Sequence, residues 1–331
     1  MMNCPNSRAS WVLSIGGLNI RIVSDQTASD IILNLKKLFV GFDLADSAHA
    51  DGQLFVSFDV DTIYQEKFDA NLNDLTKTAH VLASSLFDRI KFHDPTSVSG
   101  NNNTIHTYQI GFLNGLLIYP CHSAAANCLL FRSGEDDRFL VGSLHKLLFI
   151  FLCIFMAERG CLFVHGAAIR NHQEGYIFWG ASGAGKTTVA GLSDREDVLS
   201  DDAPVLMRRD ETFFCAPSPF CQLEPYGGGL SQNLPPIPMK MNIFLQQAQD
   251  LDLARKMMPD ALSEIISSHI HGFELMDNTL KKKVFHFIYD FCTQLPAYDL
   301  RFTKDNRFWK LISDEDLAGC SKMSRCKARK S

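Results

Sequence analysis

The sequence predicts an α+β chain of two domains, the second of α/β type, and three observations carry that prediction. At 331 residues the chain exceeds one small domain and suits two. Short apolar runs broken by polar residues fill roughly the first 140 positions, the pattern of a strand-rich unit. From Cys161 onward, β-rich runs alternate with helical ones around a glycine loop. A content of 46% hydrophobic and 21% charged residues is that of a folded globular protein.

Taken in order, strands are expected at Trp11 to Ile15, Leu18 to Val23, Leu54 to Phe58, Thr107 to Phe112, Leu116 to Tyr119 and Cys128 to Phe131. Helical spacing appears at Ala28 to Phe39 and Asn71 to Ile90, and Ser97 to Thr104 reads as a polar loop. Asp59 and Asp61 share one face of their strand, which reads as a solvated face rather than a metal site. A helix is expected from Gly142 to about Glu158. Its apolar stretch, Leu147 to Met156, falls short of the roughly 20 residues a bilayer needs, so it reads as buried.

Cys161 to Arg170 and Tyr176 to Gly180 read as a hairpin; pairing Arg170 with Gly175 would set His165 opposite Gly180. Further on come a short helix at Thr187 to Leu192 and strands at Val198 to Leu199, Pro204 to Met207 and Thr212 to Cys215. A proline-rich loop at Leu234 to Pro238, a strand at Lys240 to Leu245 and helical patches to Phe291 follow. A strand at Tyr298 to Phe302 and a helix at Asn306 to Ile312 close the fold. The domains are therefore 1–140, an α+β accessory unit; 141–318, the α/β unit; and 319–331, a basic solvated tail.

The net charge of -5 argues against nucleic acid as a partner, since that needs clustered Lys and Arg. Ten cysteines are scattered without a C-x-x-C pair or zinc spacing, and Met1 to Ser10 carries no apolar stretch of a signal peptide. A reducing, cytoplasmic setting without a membrane is expected. Self-association is left open.

The chemistry concentrates at Gly180-Ala181-Ser182-Gly183-Ala184-Gly185-Lys186-Thr187, which fills the G-x-x-x-x-G-K-[ST] pattern between a strand and a helix. Glycines let backbone N–H groups turn around phosphate oxygens, Lys186 supplies a point charge, Thr187 offers a hydroxyl to Mg²⁺, and Thr188 follows in the cradle. ATP and Mg²⁺ are the ligands this implies. Only Thr187 to Ser200 intervene before Asp201-Asp202, so the two acids should emerge on the next strand beside the γ-phosphate. An Asp there can hold Mg²⁺ or accept a hydroxyl proton. His165 falls beside the loop in the predicted register.

His165-Gly-Ala-Ala-Ile, the loop and Leu199-Ser-Asp-Asp202 together resemble the catalytic domain of the HPr kinase/phosphorylase family, whose fold is related to ATP-dependent phosphoenolpyruvate carboxykinase. Leu223-Glu224-Pro-Tyr-Gly227 is similar to that family's Leu-Glu-x-Arg-Gly segment. The resemblance, over residues 160–230, implies Asp201 as base or acid on the acceptor hydroxyl and Asp202 as its neighbour in the metal shell. It implies Glu224 as a metal ligand and His165 as a supporting residue. Tyr226 stands where the family carries Arg, and Gly227 to Pro238 does not reproduce its signature loop, which leaves phosphorylase activity and HPr itself outside the expectation. Pro296 to Phe302 followed by Phe308-Trp309 looks like HPr-kinase-related proteins of peptide-modification gene clusters.

The expected activity is an ATP- and Mg²⁺-dependent kinase acting on a Ser or Thr hydroxyl of a peptide, protein or small molecule, with the first domain docking the acceptor. The alternative is a nucleotide-binding regulator or ATPase without a phosphoacceptor. A carboxykinase would want a separate basic carboxylate-binding set. Arg301 could meet a phosphate.

Overall fold

A computed structural model of the chain describes residues 9–24, 28–39, 41–44, 48–58, 90–100, 103–112, 115–120, 122–130, 137–220 and 234–313. The chain divides into two compact units, Met1–Cys161 with Gly272–Lys281, and Leu162–His271 with Lys282–Ser331. The division falls at Cys161 rather than near residue 140. The helix expected at the head of the second domain counts with the first unit, whose sheet it covers.

In the first unit, β1 (Ser10–Ile15), β2 (Leu18–Ser24), β3 (Asp43–Leu44), β4 (Gly52–Phe58), β5 (Ile90–Gly100), β6 (Asn103–Phe112), β7 (Gly115–Pro120) and β8 (Ala125–Leu130) form one sheet in the order β3-β1-β2-β4-β8-β7-β6-β5. The β2, β4 and β8 strands run parallel, and the flanking pairs are antiparallel. Helices α1 (Ser29–Lys36) and α2 (Asp137–Ala157) pack on each other and on these strands. Ile31, Ile32 and Leu35 of α1 are buried, as i, i+1 and i+4 positions on one helix face should be. Gly52 lets the Phe155 ring of α2 lie against the β4 backbone, where any Cβ would collide with it.

Three expectations change here. The α2 helix is 21 residues long, and its 140–157 window has the length and hydropathy of a membrane span, with 72% of the window buried inside the protein. Burial of that kind is what a core helix shows. Residues 97–100 and 103–104, expected as loop, belong to the β5–β6 ladder, which runs to Gly100 opposite Asn103. Ladder bonds are made by backbone groups, so Ser- and Asn-rich sequence can extend a hairpin whatever its side chains. Ile90 opens a strand rather than closing a helix; the rest of that predicted helix, and Asp59 and Asp61, lie outside the described residues.

The second unit is built on β9 (Cys161–Phe163), β10 (Ala167–Asn171), β11 (Glu174–Trp179), β12 (Val198–Ser200), β13 (Val205–Arg209), β14 (Thr212–Ala216), β15 (Ile237–Gln247), β16 (Asp252–Arg255) and β17 (Ala297–Phe302). The order is β12-β10-β11-β15-β14-β13-β9, with β17 beside β15 and β16 beside β17. The three strands β11, β15 and β17 are mutually parallel. The β10 strand is antiparallel to both β11 and β12, so β12 runs in the direction of β11. The carboxyl ends of β11, β12, β15 and β17 and the amino end of β10 therefore lie at one edge.

The hairpin pairs Arg170 with Gly175, as the sequence predicts, and the register holds from Asn171↔Glu174 to Ala167↔Phe178. Alternation then sends successive residues to opposite faces. Tyr176 and Phe178 enter a core with Val189, Ile243, Leu300, Phe302, Phe308 and Ile312, which binds helix α3 (Lys186–Gly191) and the last helix, 308–313, to one face. Trp179 points the other way, to Asn242, Phe244 and His269. Helix α4 (Met258–Ser268) leads into His269, and α5 (Asn278–Gln294) places Phe291 beside Trp179.

Candidate functional site

The glycine loop leaves β11 at Gly180 and lies over the ends of β15 and β17. Gln247, the last residue of β15, donates from Nε2 to the Gly183 carbonyl at 2.8 Å. Gly185 caps α3 with φ 114°, and a Cβ there would stand 2.5 Å from Cζ of Phe302 at the end of β17. Only glycine satisfies both the left-handed backbone and that ring. Ala181, Ser182 and Gly183 are exposed, as is Thr187, and Thr188 is half-buried. Lys186 is buried beneath them and donates from Nζ to the Gly180 carbonyl at 2.6 Å and the Ala181 carbonyl at 3.3 Å. The loop thus wraps its own ammonium group.

Asp201 and Asp202 follow β12 directly, at the same edge. Ser200 orders this turn: its hydroxyl accepts from the Ala203 amide at 3.1 Å and donates to the Phe220 carbonyl at 3.2 Å. Asp201 is buried, with 1% of its surface exposed. Burial depresses the affinity of Lys186 for its proton, and Asp202 and Asp201, in that order, oppose the shift. Both acids therefore act on the ammonium that the loop encloses. One Asp202 oxygen, Oδ1, is buried without a hydrogen-bond partner among the described residues and stands 3.8 Å from His165 Nε2.

His165 is not paired with Gly180. The ladder ends at Ala167, and the chain bends away, so that the His165 amide donates to the His269 carbonyl at 2.9 Å and the Gly166 amide to the Asp202 carbonyl at 3.2 Å. This bend, rather than the hairpin, carries His165 to Asp202. Burial pushes the His165 imidazole below its ordinary range, helped by Lys186 and opposed by Asp202.

Two residues that the sequence reading passed over complete the cluster. His269-Ile270-His271 runs antiparallel to Phe163-Val164-His165 through the Val164–Ile270 bridge. His271 stacks on His165, with ring centroids 5.3 Å apart and planes at 19°, and the His269 ring lies 6.1 Å from His165 on its other neighbour contact. Burial, with the charges of His165 and Lys186, drives His269 from 6.5 down to about 4, so it is neutral at pH 7. The available signal was the spacing: two histidines flanking one apolar residue face the same way on an extended segment.

A divalent cation suits part of this arrangement. Magnesium prefers oxygen ligands and keeps several waters, and the Asp202 carboxylate offers a buried oxygen without a hydrogen bond. Thr187 would add a hydroxyl. Glu224 lies outside the described residues, and among the described residues no group of three or more His, Cys, Asp and Glu side chains converges on a metal position. Arg301 is turned elsewhere, to Asp250 at 2.7 Å.

A comparison with curated proteins found no match. A family profile described as "SynChlorMet cassette protein ScmC" matches residues 127–315. That span covers more than half of the chain and includes the loop, both acids and all three histidines, and the protein therefore belongs to the ScmC family of SynChlorMet cassette proteins.

Proposed function

We propose that the protein is a cytoplasmic ATP- and Mg²⁺-dependent kinase that transfers the γ-phosphate to a Ser or Thr hydroxyl of a peptide, protein or small molecule. The observation that supports this reading best is the convergence of Lys186 and the Asp201-Asp202 pair at one strand edge, with both acids felt by the ammonium. Phosphoryl transfer asks for little else: charge at the phosphates, a group to take the hydroxyl proton, and fixed positions for both. Lys186 exchanges its bonds to the Gly180 and Ala181 carbonyls for phosphate oxygens, and the exposed 181–183 backbone supplies N–H donors. Asp201 accepts the acceptor's proton. Asp202 and Thr187 would hold Mg²⁺, which supplies charge neutralisation at the β- and γ-phosphates when bound. The family's description as a cassette protein accords with the resemblance to kinases of peptide-modification clusters.

The test is incubation of the full chain with γ-labelled ATP and Mg²⁺, with and without serine- and threonine-containing peptides. Label recovered on a peptide, dependent on Lys186 and Asp201, supports the kinase. Phosphate released at a rate no peptide changes, with no labelled acceptor, favours an ATPase or regulator and overturns it.

A further inference from the structure

His269 and His271 each grip the backbone of a different residue in the candidate site. His269 Nδ1 lies 3.1 Å from the His165 carbonyl, while its own carbonyl receives the His165 amide at 2.9 Å. His271 Nε2 lies 3.3 Å from the Asp202 carbonyl, and its amide donates to the Phe163 carbonyl at 3.0 Å. A carbonyl oxygen only accepts, so His269 carries a proton on Nδ1 and His271 on Nε2 in these contacts. The two residues they hold are the two whose side chains meet, His165 Nε2 and Asp202 Oδ1 at 3.8 Å. One tripeptide thus spans both sides of that gap, and the His271 ring also supports the His165 ring by stacking.

Position matters here because Asp202 makes no hydrogen bond at Oδ1 among the described residues. Its carboxylate is placed by its backbone, and its backbone carbonyl is held by two donors, the Gly166 amide at 3.2 Å and His271. We propose, on the phosphotransfer reading above, that His269 and His271 are positioning residues that fix the separation of His165 and Asp202 and so the placement of the acid at the transferred phosphate. Both residues are buried, and neither belongs to the loop that would hold the nucleotide. Their loss therefore lowers turnover and spares nucleotide binding.

The experiment separates the ring donors from the rings. His271→Gln keeps a donor near Nε2 and His271→Phe keeps only the stack; His269→Asn keeps a donor near Nδ1 and His269→Leu removes it. Phosphate release from γ-labelled ATP, with water as the acceptor, is compared with the Kd of a fluorescent ADP analogue. The Phe and Leu variants should lose about 10- to 100-fold in kcat with the Kd within a few-fold of the parent, and the Gln and Asn variants should recover most of the loss. Equal kcat in the paired variants at each position overturns the proposal and leaves a packing role. Hydrogen exchange at the Gly166 amide reads the clamp without turnover: it should quicken in His271→Phe and hold in His271→Gln, and no difference between them overturns the clamp. A parent that releases no more phosphate than Lys186→Ala does not use water as an acceptor; the Gly166 exchange alone then judges the clamp, and the kinase reading stands or falls on label transfer to a peptide.

Discussion

Each unit buries a carboxylate, and the two are treated in opposite ways. Glu158, in the first unit with 4% of its side chain exposed, accepts from Tyr119 Oη and from the His122 amide at 2.9 Å, and has Arg159 Nη1 at 3.7 Å. Burial first, then the bond to Glu158, pushes the Tyr119 hydroxyl far up, so it stays protonated and donates. Asp202, in the second unit with 14% exposed, has one buried oxygen without any hydrogen bond among the described residues. Buried polar atoms in folded proteins are nearly always bonded, so an exception calls for a reason. Glu158 is satisfied by the fold and reads as structure. On the proposed phosphotransfer reading, the partner of Asp202 arrives with a ligand.

Predictions can break or sharpen that contrast. Lys186→Ala should have the largest effect, reducing phosphate transfer about 10³-fold or more and weakening ATP binding, since Lys186 is the cation bonded into the loop among the described residues. Unchanged nucleotide affinity and turnover would remove the site altogether. Asp201→Asn should cut transfer at least about 10²-fold and leave nucleotide affinity intact, because the near-isosteric amide cannot take a proton. Parent-like transfer would take the base role away from Asp201.

Acid stability comes next and touches both units. His145 in the first and His269 in the second are both driven by burial from 6.5 to about 4. The unfolded chain binds a proton at each below pH 6.5 and the fold does not, so stability is full above that pH and falls as pH drops toward 4. The loss is about 3 kcal/mol per histidine over that window. His145→Leu should flatten the slope of the urea midpoint against pH. A parent whose midpoint is level between pH 6.5 and 4 would contradict both shifts.

The smallest effects test the two carboxylates directly. Glu158→Gln should destabilise the chain by about 1–3 kcal/mol, because an amide donor now faces donors that a carboxylate had satisfied. Asp202→Asn should change the free energy of unfolding in urea by no more than about 0.5 kcal/mol, Oδ1 having no hydrogen bond to lose among the described residues. Equal destabilisation by the two substitutions would erase the contrast.

Local sequence signals carried much of this fold. The hairpin around Arg170↔Gly175 was legible because a turn composition between two β-rich runs sets a register that backbone pairing must follow. The six strands expected in the first unit all form over their described residues, Phe131 lying outside these. The α2 helix was legible in kind but not in allegiance: an apolar run says that a segment is buried and not which sheet buries it. The short β3 and β16 strands, two and four residues long, carry too little pattern to be read.

For the candidate site, the sequence by itself determined the loop, because G-x-x-x-x-G-K-T is a run of neighbours whose spacing is covalent. It also determined that Asp201-Asp202 follows one short helix and one short strand. Only the tertiary structure decided what meets Asp202. The register sum that would have paired His165 with Gly180 fails two residues beyond the end of the ladder, where the chain bends to the Asp202 and His269 backbones. His269 and His271 lie more than 80 residues beyond Lys186 and share no motif with it. They arrive because α4 ends beside β9 and the Val164–Ile270 bridge forms. That contact depends on how one element packs on another, and packing between distant segments leaves no period or spacing in the sequence of either.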